Sequence, residues 1–145
     1  VRALVDMCRA KVSPLPVLAM PSIDALGPVR PVAELEALPW PSARAAMEPY
    51  LLRVERLTAA YDEVARRFGA VLDKRNALRG LLHAFRDKAA ASGLGESADL
   101  EPTFRLAEQV LWGAPCDVEQ AERLVNDYTD AVNTAVAAVG PGGAR

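Results

Sequence analysis

No proline interrupts the chain between Pro49 and Pro102, whereas eight of its eleven prolines stand before Tyr50. That asymmetry divides a broken, partly extended first third from a remainder free to form long helices. Within the proline-free stretch, apolar residues fall at alternating three- and four-residue steps: Leu57, Tyr61, Val64, Phe68 and Val71, then Leu78, Leu82, Phe85 and Ala89. Such spacing draws one apolar seam along a helix. With only Gly69 and Gly80 lowering the propensity, the stretch predicts a helix of roughly 40 residues, about 60 Å long, closed by Gly93 as a left-handed cap.

A second seam runs through Val118, Ala121, Val125, Tyr128, Val132, Ala135 and Val139. Asp117, followed three residues later by Gln120, forms a capping box for that helix. The glycines and proline from Gly140 to Gly143 stop it and predict a flexible tail over 141–145. Asp99 is placed to cap a shorter helix carrying Phe104, Leu106, Val110, Leu111 and Trp112, which Gly113 and Pro115 break; Pro102 is tolerated in its first turn. The expectation is an all-α antiparallel bundle over 42–140. One long helix is covered by a two-helix return.

Residues 13–41 read as a proline-rich arm that is nevertheless apolar, with Leu15, Val17, Leu18, Met20, Ile23, Leu26 and Val29 between the prolines. Disordered linkers are normally polar. The arm is therefore expected to lie as an extended strap in a groove between helices, on its own chain or another. Residues 32–38 could form a short helical turn ending at Pro39, and Ser42 could cap the long helix. Residues 1–12 resemble the last turns of a helix. Without an initiating Met, the chain is expected to be a domain from a longer protein.

Composition removes several classes. A hydrophobic content of 51% opposes disorder, and a net charge of −2 gives no basic field for nucleic acid. The longest early uncharged run, Val12 to Ile23, is about twelve residues and holds three prolines, too short and too broken for a span of roughly 20 helical residues. Cys8 and Cys116 make no disulfide framework and favour a reducing, cytoplasmic setting. A single histidine, His83, makes no metal cluster, and no cofactor motif is present.

From Tyr50 to Ser92, nine Lys/Arg stand against five acids, whereas from Glu96 to Val139 nine acids stand against two arginines. Steering of the later helices onto the long one is the plain explanation; an acidic partner-binding face including Glu119 and Glu122 is the sharper one. Arg75 sits in the seam where an apolar residue is due, which suggests a register-fixing ion pair with a neighbouring helix. Phe68, Phe85, Phe104, Trp112 and Tyr128 are read as core or hinge packing. Trp40, between Pro39 and Pro41, is either the anchor that pins the strap or an exposed hot spot.

The run from Asp73 to Tyr128 resembles a module of actinobacterial signalling proteins, above all in Arg75 to Leu82, in Ala114 to Asp117 and in Ala121 to Val125. This is the GlnX-like group of membrane proteins encoded beside the kinase PknG, and the resemblance covers a little over a third of the chain. It implies the soluble helical part of a multi-pass protein that relays amino-acid availability to a cytoplasmic Ser/Thr kinase. It carries over no catalytic residues. The function expected is thus protein interaction without catalysis or cofactor, at candidate contacts Trp40, Arg75, Arg79, Glu119 and Glu122. Two alternatives stay open: an anion-binding or enzymatic bundle of the chorismate-mutase kind, using Lys74, Arg75 and Arg79, and a coiled-coil homodimer of purely structural purpose.

Overall fold

A computed structural model describes residues 1–139 and is all-α apart from one two-residue bridge. Its elements are α1 (Arg2–Lys11), β1 (Val12–Ser13), a 3-10 turn (Ile23–Leu26), α2 (Val32–Glu36), α3 (Trp40–Ala91), α4 (Glu101–Trp112), β2 (Cys116–Asp117) and α5 (Val118–Val139). At 52 residues α3 exceeds the expected length. It starts at Trp40 because the Pro39 carbonyl accepts from the amides of Ser42 and Ala43, which puts Ser42 inside the first turn rather than at the cap. Pro49 is carried within the helix at the loss of one backbone bond. The tail over 141–145 and the stop at Gly140 lie outside the described residues.

Two compact units divide inside α3. The core unit comprises Arg2–Pro16 and Phe68–Arg145, described to residue 139. In it most of the two predicted seams is buried: Phe68, Leu78, Leu82 and Ala89 from α3, and Val118, Ala121, Val125, Tyr128 and Val132 from α5, while Val71, Phe85 and Ala135 are half-buried and Val139, at the end of the second seam, is exposed. Phe104, Ala107 and Leu111 of α4 complete the core, with the Phe104 and Tyr128 rings edge to face at 5.5 Å. Contacts fix the directions of the helices. Arg79 meets Leu111 while Arg86 covers the ring of Phe104, so α4 returns antiparallel to α3. Lys74 pairs with Glu122 and Lys88 with Asn133, so α5 turns back again and runs parallel to α3. The expected double return is therefore an up-down-up arrangement.

Gly93 ends the long helix in the left-handed region, at φ 76°, with Leu94 donating back to the Ala89 carbonyl. Asp117 caps α5 as its spacing predicted, its Oδ1 accepting from the amide of Gln120 at 2.8 Å. Asp99 does not cap α4. That helix starts from Leu100 without a side-chain cap, and the Ser97 carbonyl accepts from the Leu100 and Glu101 amides.

The first sixteen residues are more than a stub. Val5, Cys8 and Val12 are buried, and the Cys8 thiol donates to the Phe68 carbonyl at 3.4 Å. Val12 and Ser13 pair in parallel with Cys116 and Asp117, tying the end of α1 to the α4–α5 turn. The sequence gives no sign of this bridge, because two residues are too few for a strand period to register.

The arm unit is Val17–Arg67 with Val1. Its arm packs on its own chain and lies on one helix, not in a groove between helices. Tyr61 Oη donates to the Pro21 carbonyl at 3.0 Å. Residues 28–31 border the same shallow cleft as Ala46, Met47 and Tyr50. The arm thus travels antiparallel to α3 before α2 and Pro39 reverse it. Prolines 21, 28, 31 and 39 deny it continuous helix or ladder bonds, so it forms no second layer of regular structure. Val64 alone in this unit is buried, while Val17 is 99% exposed.

Candidate functional site

Arg75 and Arg79 sit one turn apart on α3 and share a single acceptor. Arg75 Nε donates to the Leu111 carbonyl at 3.3 Å, and Arg79 donates to it through Nε at 3.2 Å and Nη2 at 2.7 Å. Leu111 lies in the last turn of α4, where carbonyls lack helical partners. Its partner four residues on would be Pro115, which has no N–H. The two guanidinium groups replace that missing donor, and their charge suits the negative end of the α4 dipole. Arg75 is 8% exposed and is a buried polar residue of the seam, as its position suggested. The expected ion pair with a carboxylate is corrected to a bond with a backbone carbonyl.

Trp112 is also corrected. Rather than entering the core it is 45% exposed, with the Arg79 guanidinium stacked 4.5 Å above its ring and His83 at its edge, 5.4 Å between centroids. Burial, together with the neighbouring charge of Arg75, draws the Arg79 pKa below its ordinary value. Cys116 lies beside the same arginines; burial raises its thiol pKa despite their opposing pull. Both cysteines are free and buried, and burial raises the Cys8 thiol as well.

The residues proposed to gather an anion do not converge on open space. Arg75 and Arg79 aim at Leu111, and Lys74 pairs with Glu122 at 2.7 Å. Among the described residues that is the one ion pair joining α3 to α5, so the opposed charges of the two halves produce a single pair. Glu119 stands exposed in the first turn of α5. No cluster of three or more metal-ligating side chains occurs among the described residues, and no described helix is long and apolar enough to cross a membrane.

Trp40 belongs to the arm unit. It is 78% exposed, so it does not pin the arm. Instead it lines an open trough of about 610 Å³ between α2 and the start of α3, with Leu35, Leu38, Ala43, Met47 and Leu51. Sequence reasoning missed these neighbours, although a signal existed. The seam that begins at Leu57 continues upstream through Val54, Leu51, Met47, Ala43 and Trp40 at the same three- and four-residue steps. No family model, no curated protein and no solved structure matches the chain.

Proposed function

We propose that this chain is a non-catalytic helical interaction domain in a signalling or regulatory assembly. The observation that carries the reading is the arm unit's apolar trough with Trp40 on its wall. An exposed apolar patch of this kind marks a binding surface, and an aromatic side chain beside a groove is the usual energetic centre of one. Lys74, Arg75 and Arg79, the side chains an anion-binding bundle was expected to use, are engaged by the protein itself. The resemblance to GlnX-like proteins supplies the context: a cytoplasmic domain of a membrane-embedded parent that passes amino-acid availability to a Ser/Thr kinase.

Titration of the purified chain with a purified kinase of the PknG type tests the relay. Saturable binding that Arg79→Ala leaves unchanged is the expected result. No heat at any attainable concentration removes the kinase from the proposal. A thermal-shift screen with dicarboxylates addresses the competing class. A rise in melting temperature that Arg79→Ala abolishes would establish an anion site and overturn the non-catalytic reading.

A further inference from the structure

We infer that the trough between α2 and the first turns of α3 is filled by the same trough of a second copy of this chain, with Trp40 of each copy seated in the other. The inference rests on the interaction reading above and names the partner of that surface. A two-fold contact requires a surface complementary to itself, and this one offers both an exposed aromatic side chain and an apolar trough to receive it. It presents both a knob, Trp40, and a hollow floored by Ala43, Met47 and Leu51. Trp40 forms part of the wall, so it cannot fill its own hollow.

Charge points the same way. The trough is flanked by one acid and one base, Glu36 and Arg44, both exposed and neither in an ion pair among the described residues. A two-fold axis along the trough would lay the α2 wall of one copy over the α3 wall of the other, and so set Glu36 of each opposite Arg44 of its partner. Across Val17–Arg67 seven acids are balanced by six arginines. That near-neutral surface would draw neither a strongly acidic nor a strongly basic partner, but it opposes no second copy of itself. The stripe Trp40, Ala43, Met47 and Leu51 also has the three- and four-residue spacing of a helix-pairing seam.

Sedimentation equilibrium of the full chain over a wide concentration range tests this. A monomer–dimer equilibrium is expected, with the dissociation constant raised about tenfold or more by Trp40→Ala or Leu51→Glu. Both positions are exposed, and unchanged circular dichroism checks that the variants fold. Glu36→Arg and Arg44→Glu should each weaken the dimer, and the double variant should restore it. A chain that stays monomeric throughout overturns the inference, as does a dimer indifferent to these substitutions. A monomer that still binds the kinase through Trp40 would sink self-association and leave the interaction reading standing; a Trp40-dependent dimer that ignores the kinase would sustain self-association and remove the kinase.

Discussion

The core unit and the arm unit draw on one shared helix and treat their apolar side chains in opposite ways. In the core unit Leu82, Ala107, Leu111, Ala121, Val125 and Val132 are wholly buried. In the arm unit Val17, Ile23, Val29, Val32, Leu51 and Leu52 are exposed. The difference follows from what each stretch of α3 is given to pack against. Residues 68–91 meet α4 and α5, so their seam faces other helices. Residues 40–67 meet an arm held extended by prolines, which offers little regular surface. A stable domain needs two packed layers, and the arm unit supplies only one and a strap. A seam predicts burial only where the chain provides a second element to bury it.

Phe104→Ala should have the largest effect on the core unit. The ring is 1% exposed and packs on Tyr128, so its removal should lower stability by about 3–5 kcal/mol in denaturant melts. A loss near zero would mean that the core unit is no better closed than the arm unit.

Smaller, and more specific, is the shared acceptor at the end of α4. Arg75→Ala or Arg79→Ala alone leaves the Leu111 carbonyl bonded to the other arginine, and each should cost about 1 kcal/mol. The double variant strands that carbonyl and should cost more than the two singles together, because residues sharing one partner are not additive. Additive losses would show that the two arginines act separately. Loss of the Asp117 cap in Asp117→Ala should cost about 1 kcal/mol, read from the same melts.

Much of this was legible in the sequence. Both seams, the cap at Asp117 and the left-handed stop at Gly93 follow from local spacing and residue type. Arg75 was legible as a buried exception in the seam, but its acceptor was not. A backbone carbonyl leaves no mark on composition, and the clue was indirect: Pro115 four residues after Leu111. The Val12–Cys116 bridge joins segments far apart in sequence, and two residues show no period. Trp40 illustrates the opposite failure. Its flanking prolines assigned it to the arm, yet Pro39 ends the arm with its carbonyl already receiving the first helical bonds, and Pro41 fits the first turn, where its missing N–H costs nothing.

Titration sharpens the contrast further. Burial holds both thiols of the core unit above the ordinary thiol range. The unfolded chain therefore releases those protons first as pH rises. This contribution is fully present below about pH 8.5 and is lost as pH climbs through the higher folded values. Melting temperature should fall over that alkaline window, and by less in Cys116→Ala, whose buried thiol no longer titrates. An equal alkaline fall in wild type and the variant would assign the effect elsewhere.

The smallest expected effect is also the most discriminating. Leu52 is 53% exposed on α3 within the arm unit and does not line the trough. In the dilute chain Leu52→Ser removes apolar surface that water already reaches, so stability should change by no more than about 0.5 kcal/mol. The same change at a core seam position would leave a cavity and strand a hydroxyl. If Leu52→Ser costs as much as a core truncation, this face is covered in solution, and the arm unit is as closed as its neighbour. If it is neutral while Leu51→Glu, one residue away, abolishes self-association, the covered surface ends between two adjacent side chains. Those two residues point about 100° apart around the helix, so the pair would fix which face of α3 the second copy meets.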